Sequence, residues 1–294
     1  MKNNKISIII PVYNALDDLK LCIESLLENV DFSNTSVVAI DDCSGIETVQ
    51  YLSMIKNNYG DKIEVITNEE NLGFVKTCNK GLAYKEAEIY VLLNSDTIIS
   101  KGFCEKIIQC FDSDDKIGIA SPIASHSSRY YFFKPVDITL EQVNEKLVKV
   151  HQKTYPKVAS AEGFCFCIRN NVYKTTGGLD VIYGKGYYEE IDYSFKAIEK
   201  GFDCVLIDDL YVYHKNNVSF GSKKRKEYMK KNSIIFNERW KDFRKNWELQ
   251  NNHINPIKKI RKEFYKGKFI TKCEKAYIVN VFGKLLKFKI KTIT

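Results

Sequence analysis

The chain predicts an α/β fold built on a mostly parallel central sheet, and three observations carry that prediction. Short apolar runs alternate with segments of helical periodicity through the first hundred residues. The runs at 6–10, 37–40 and 89–93 read as strands buried on both faces. Each opens directly into polar residues: Pro11-Val12-Tyr13-Asn14, Asp41-Asp42-Cys43-Ser44 and Asn94-Ser95-Asp96. Parallel strands deliver such groups to one carboxyl edge, where open α/β sheets bind ligands.

The elements follow in order. A strand over 6–12 leads into a helix opened by Asp17 and Asp18, with Leu19, Ile23, Leu26 and Leu27 on its apolar face. A second strand, 37–40, precedes a helix over 48–56. A third, 63–66, ends in Asn68-Glu69-Glu70-Asn71-Leu72-Gly73-Phe74, ahead of a helix to about residue 84. The fourth strand is 89–93. This spacing calls for right-handed βαβ units. A helix near 102–111 and a strand near 117–121 come next.

Residues 125–157 are less regular. They hold the aromatic patch Tyr130-Tyr131-Phe132-Phe133 and a helix near 140–151, for which Thr139 and Gln142 form a capping box. Such an insertion is either a cover for a second substrate or a surface elaboration. A strand over 158–168 is interrupted at Glu162-Gly163. Gly177-Gly178-Leu179-Asp180 then precedes an acidic helix start, Glu189-Glu190-Ile191-Asp192. That helix runs to Lys200 and stops at Gly201. Strands at 204–207 and 212–214, the last ending in His214, complete a main unit of residues 1–221. A helical, basic extension is expected over 222–294.

Apolar content of 44% and charged content of 28% suit a soluble globular chain of 294 residues. Five prolines and no low-complexity tract argue against long linkers. The nine cysteines show no Cys-x-x-Cys spacing, so reduced thiols in a cytoplasmic protein are expected, most of them serving as small core hydrophobes. No signal core follows Met1. The net charge of +8 belongs to the tail: residues 251–294 hold twelve Lys or Arg against two Glu, which leaves the first 250 residues at −2. The tail mixes Lys258, Lys259, Arg261, Lys262, Lys266 and Lys268 with Phe264, Tyr265, Phe269, Phe282, Leu285, Leu286, Phe288 and Ile290. Basic residues near an anionic leaflet contribute about 1 kcal/mol each, so the expected partner of 251–294 is the inner membrane face. No nucleic-acid module accompanies the charge, and no nucleic-acid partner is expected. No run of 18 apolar residues spans a membrane.

Carboxylates gathered at one sheet edge require a cation or hydrogen-bond donors to compensate them. Taken together, Pro11-Val12-Tyr13-Asn14, Asp41-Asp42-Cys43-Ser44, Asn71-Leu72-Gly73-Phe74, Asn94-Ser95-Asp96-Thr97, Gly177-Gly178-Leu179-Asp180, Glu189-Glu190-Ile191-Asp192 and His214 occur in the order seen in family 2 glycosyltransferases. The resemblance covers about three quarters of the chain, roughly 5–221. It is nearest to bacterial enzymes that build rhamnose-containing or similar surface polysaccharides, such as capsule or O-antigen.

That resemblance implies an A-type glycosyltransferase fold, with a nucleotide-binding half over 1–100 and an acceptor half over 101–221. It implies a UDP- or dTDP-linked donor, Mn²⁺ or Mg²⁺, and inverting transfer to a glycan acceptor, lipid-linked in the surface-polysaccharide enzymes. By the same analogy Pro11, Val12, Tyr13 and Asn14 pack on the base and Asp42 reads its N–H edge, with Asp41 as runner-up or as a loop cap. Asn71, Gly73, Asn94 and Ser95 also face the donor. Asp96 would hold the metal against the diphosphate, and His214 would complete the metal shell. Asn94 stands where many relatives carry an Asp, which lowers the expected metal affinity without donor. Glu190 is the expected general base, in place of the family's more common Asp, with Glu189 and Asp192 as alternatives. A helix dipole favours three carboxylates here for structural reasons too. The competing reading is a non-catalytic sugar- or nucleotide-binding scaffold on the same fold. A dinucleotide oxidoreductase is excluded because no Gly-x-Gly-x-x-Gly follows the first strand.

Overall fold

The computed structural model of the chain describes residues 4–150, 153–215, 222–250, 255–268, 270–273, 276–281 and 284–289. The last residue of the predicted 140–151 helix, together with Phe269, Phe282, Ile290 and the Phe288 side chain, lies outside what is described.

The first half follows the expected alternation: β1 Asn4–Val12, α1 Leu16–Asn29, β2 Thr35–Asp41, α2 Ile46–Tyr59, β3 Ile63–Thr67, α3 Phe74–Leu82 and β4 Ala87–Leu93. A two-residue strand, β5 Thr97–Ile98, precedes α4 Phe103–Ser113, β6 Ile117–Ala124, α5 Leu140–Val150, β7 Cys165–Arg169, α6 Asn170–Thr176, α7 Glu189–Glu199 and β8 Asp203–His214. One sheet holds them in the order β3-β2-β1-β4-β7-β6-β8-β5. Neighbours are parallel from β3 through β4 and again between β6 and β8, while β7 and β5 run antiparallel to theirs.

Alternation along the strands sorts the core into two layers. Ile6, Ile8 and Ile10 of β1 face α1, α2 and α4. Ile9 faces the other way, with Val38, Ile40 and α3. Gly81 marks the tightest approach: a Cβ there would come within 2.3 Å of Ile9 Cγ2, so only glycine lets α3 lie this close to β1. All nine cysteines are free and eight are buried, as small core hydrophobes are.

The Thr139–Gln142 capping box forms in both directions, Thr139 N donating to Gln142 Oε1 at 2.9 Å and Gln142 N to Thr139 Oγ1 at 3.2 Å. The strand expected over 158–168 is shorter and is confined to β7. Residues before it leave the ladder, where Glu162 N turns to Ser121 Oγ at 3.0 Å. The strands expected at 204–207 and 212–214 are one strand, β8. Its pairing with β6 jumps from Ile207 to Tyr211, and Asp208-Asp209-Leu210 form the bulge that breaks the pattern.

The extension is not helical throughout. After α8 Ser222–Gln250 and α9 Ile257–Phe264, an antiparallel meander forms from β9 Ile270–Cys273, β10 Ala276–Val281 and β11 Lys284–Lys289. Abundant lysine masks a period of two that β9 shows plainly, with Thr271 and Cys273 buried and Ile270 and Lys272 exposed. Nor is the extension an appendage. Ile257, Ile260, Phe264, Cys273 and Ala276 join the second core layer, and Phe264 packs on Phe132 with centroids 4.4 Å apart. Among the described residues no helix is long and apolar enough to cross a membrane.

Candidate active site

A hollow of ≈ 1430 Å³ lies over the carboxyl ends of β1, β2 and β4, closed on its far side by the 184–188 loop, the start of α7 and one face of α8. Pro11, Val12, Tyr13 and Asn14 line it, and Tyr13 is 42% exposed rather than packed into the core. The β1 and β2 turns lock each other: Asn14 N donates to Ser44 Oγ at 2.8 Å, and Gly45 N donates to Asn14 Oδ1 at 2.8 Å.

Asp41 and Asp42, adjacent in sequence, do different work. Asp41 is buried outside the hollow lining and accepts Ser44 N at 3.1 Å, so it caps the loop and drops out as a base reader. Asp42 lines the hollow. Its Oδ1 accepts Asn68 Nδ2 at 2.9 Å, Leu72 N at 2.8 Å and Thr77 Oγ1 at 2.9 Å, while Oδ2, among the described residues, accepts Gly73 N at 2.8 Å. With three donors on Oδ1 and one on Oδ2, Oδ2 is the oxygen with acceptor capacity left for a ligand N–H. Asn71 is fixed from both ends, its Nδ2 on Asp42 O at 3.2 Å and its Oδ1 accepting Lys185 Nζ at 2.8 Å. Gly73 sits at φ +80°, and a Cβ there would lie 3.0 to 3.2 Å from Lys185, so the loop admits no side chain.

Asn94, Ser95 and Asp96 also line the hollow. His214 Nε2 stands 3.3 Å from Asp96 Oδ1, and its ring stacks on Phe164 with centroids 5.0 Å apart. The other ring nitrogen, Nδ1, is 2.6 Å from His126 O. A carbonyl only accepts, so Nδ1 carries the hydrogen, and a neutral ring then turns its Nε2 lone pair toward a carboxylate oxygen. Two acceptors facing each other need a cation to share, either a proton or a metal ion. The pair therefore fits a divalent metal. Among the described residues no cluster of three or more His, Cys, Asp or Glu has metal-holding geometry.

The carboxylates of α7 diverge. Glu189 and Glu190 line the hollow. Burial pushes the Glu190 carboxyl above its usual 4.5; the Arg129 guanidinium, Nη2 3.8 Å from Oε1, opposes this, and Glu162 adds to it. Burial, together with Glu190, holds Glu189 well above the usual value, and its Oε2 is buried without a hydrogen-bond partner. Asp192 is buried away from the hollow. Its Oδ1 accepts Tyr183 Oη at 3.1 Å, Arg239 Nη1 at 2.8 Å and Trp240 Nε1 at 2.8 Å, and Lys196 Nζ lies 2.8 Å from Oδ2. Asp192 thus fastens α8 to α7 and is no alternative base.

Nothing in the sequence pattern marks Arg129 or Glu162 as a functional residue. Arg129 Nε donates to Glu162 Oε1 at 3.1 Å, its Nη1 to Ser160 Oγ at 2.5 Å and its Nη2 to Ala161 O at 3.0 Å. Both residues line the hollow. The only sequence signal was the break at Glu162-Gly163.

Residues 7–177 match the model of glycosyl transferase family 2. The chain belongs to that family. An uncharacterized glycosyltransferase of Haemophilus influenzae is 24% identical to this chain over 205 residues, which cover 66% of this chain and 62% of that protein. The chain thus spans less than two thirds of that relative's length. Among solved structures, GalNAc-T7 with UDP, GalNAc and Mn²⁺ superposes at a TM-score of 0.59 and 15% identity, covering 72% of this chain and 44% of that one. S. aureus TarS 1-349 superposes at 0.55 and 16% identity, covering 89% and 80%. At such identities the likeness shows the fold alone, the A-type glycosyltransferase fold.

Proposed function

We propose that this glycosyltransferase moves a sugar, with inversion, from a UDP- or dTDP-linked donor to a hydroxyl of a glycan acceptor, lipid-linked and destined for cell-surface polysaccharide. One observation carries the reading: Asp42, Asp96, Glu190 and His214, 172 positions apart at the extremes, all line one hollow.

In this reading the turn at Tyr13 supports the base, and Asp42 Oδ2 accepts the N–H of a pyrimidine edge. Asp96 and His214 are the residues that would hold Mn²⁺ or Mg²⁺, which when bound neutralises charge on the departing nucleoside diphosphate. Two solved relatives of the same fold, crystallised with UDP and Mn²⁺ or with UDP-GlcNAc, support the ligand class. Glu190 takes the proton of the acceptor hydroxyl as it attacks the anomeric carbon from the face opposite the leaving group. Its raised basicity brings a carboxylate nearer to the pH at which it must work. The Arg129–Glu162 pair sets how far that shift goes.

The membrane reading narrows. Phe264 and Tyr265 are spent in the core, so contact with an anionic leaflet at the inner face of the membrane rests on the exposed Lys258, Lys259, Lys262 and Lys266 and on Leu286, 47% exposed. Flotation with liposomes containing anionic lipid tests this; charge reversal at those four lysines should abolish recovery with lipid.

The function is tested by incubating purified protein with UDP- and dTDP-sugars and Mn²⁺. Metal-dependent release of the nucleoside diphosphate is expected. Donor binding with no release by any sugar would leave the scaffold reading standing instead.

A further inference from the structure

The segment joining the donor side of the hollow to the Glu190 side is held in a conformation that two of its residues, Tyr187 and Tyr188, avoid. Gly184, Gly186, Tyr187 and Tyr188 all have positive φ, at 63°, 131°, 74° and 79°. Aromatic residues seldom enter the left-handed region, and such strain persists only where the surroundings impose it. The imposing group is Asn232 of α8. It is 1% exposed, and its Nδ2 lies 2.9 Å from each of three carbonyl oxygens, those of Tyr183, Gly186 and Tyr187. An amide offers two N–H donors, so one hydrogen is shared between two of the three acceptors.

The segment positions groups at both of its ends. Lys185 grips Asn71 and lies against Gly73, whose N–H is bonded to Asp42. Tyr188 is the residue from which α7 starts, so its backbone angle aims Glu189 and Glu190. Tyr187 and Tyr188 meet α8 again through Arg225, 5.8 Å above the Tyr187 ring, and Phe236, 5.4 Å from the Tyr188 ring.

We propose that Asn232 is a positioning residue for the transfer reaction: by tying three loop carbonyls to α8 it holds the 183–188 segment in its strained form and so sets the distance between the donor site and the acceptor-activating carboxylate. This makes α8, outside the matched family segment, part of the machinery. It rests on the reading of Glu190 as base. A displacement of about 1 Å at such a group costs on the order of 100-fold in rate.

The test is a double-mutant cycle on kcat. Asn232→Ala is expected to lower kcat about 100-fold and to speed tryptic cleavage after Lys185. Glycine adopts φ +74° without penalty, so in a Tyr187→Gly background the same substitution should cost less than about 10-fold. Equal losses in both backgrounds, or kcat within about twofold of the parent after Asn232→Ala, would overturn the proposal. If Asn232→Ala does not fold, Asn232→Ser, which keeps one donor, carries the same cycle. Full turnover by Glu190→Gln would instead remove the base reading, and the tryptic result would still report whether Asn232 holds the loop.

Discussion

His214 Nε2 and Asp96 Oδ1 face each other at 3.3 Å while His126 O holds the opposite ring nitrogen at 2.6 Å, an arrangement that calls for a shared cation. Asp96→Asn should therefore weaken Mn²⁺-dependent donor binding at least about 10-fold, and His214→Ala should do the same. Calorimetric titration of donor with and without Mn²⁺ measures both. Donor affinity that ignores the metal in the parent protein contradicts the assignment.

The Glu190 carboxyl, raised by burial and by Glu162 and lowered by Arg129, should place the acidic limb of the kcat/KM profile above the 4.5 of an ordinary glutamate. Activity rises with pH through that limb because the base must be ionised. Glu162→Gln removes a neighbouring negative charge and releases Arg129 toward Glu190, so the limb should move down. Arg129→Met removes the opposing cation, so it should move up. Displacements in the reverse sense contradict the electrostatic account.

Asp42 accepts four hydrogen bonds, two of them from the backbone N–H groups of Leu72 and Gly73. Asp42→Ala leaves those donors buried and unmatched, a loss of about 3 kcal/mol, and abolishes nucleotide binding with it. A denaturation curve alongside a UDP titration checks the pair. Lost binding at unchanged stability would mean that Asp42 meets only the ligand.

Asp209 sits in the bulge of β8 with both carboxylate oxygens buried and unbonded. Burial raises its carboxyl, Lys106 opposes, Asp208 adds and Lys153 opposes. A carboxyl raised in the folded state binds more protons folded than unfolded, so its cost to stability grows as pH climbs above the ordinary 3.8. Asp209→Asn should raise the thermal midpoint by about 2–4 °C at pH 8 and by less at pH 4. A lower midpoint at both values would show an unrecognised partner.

Much of this was legible in the chain because it is local. A strand buried on both faces and the polar turn that ends it are neighbours in sequence, so β1, β2 and β4, and the placement of Tyr13, Asp42 and Asp96 at one sheet edge, could be read directly. The roles of the acidic residues of α7 could not. Asp192 looks like Glu190 until Arg239 and Trp240, about fifty positions later, reach back to claim it. Arg129 and Glu162 define each other across 33 residues of irregular backbone that has no period to follow. The meander of β9 to β11 was hidden by lysines on its exposed positions, which resemble a basic helix in composition. Asn232 bears no mark in sequence at all, since its side chain bonds to three backbone carbonyls, which no residue pattern reveals.

The assignment of Glu190 to the chemistry and of Asp42, Asp96 and His214 to the donor is tested most directly by Glu190→Gln in one preparation assayed two ways. Sugar transfer should fall to background while donor affinity in the presence of Mn²⁺ stays within about twofold of the parent. Near-normal transfer by that variant would contradict the account, because no carboxylate at position 190 would then be needed to accept the acceptor's proton.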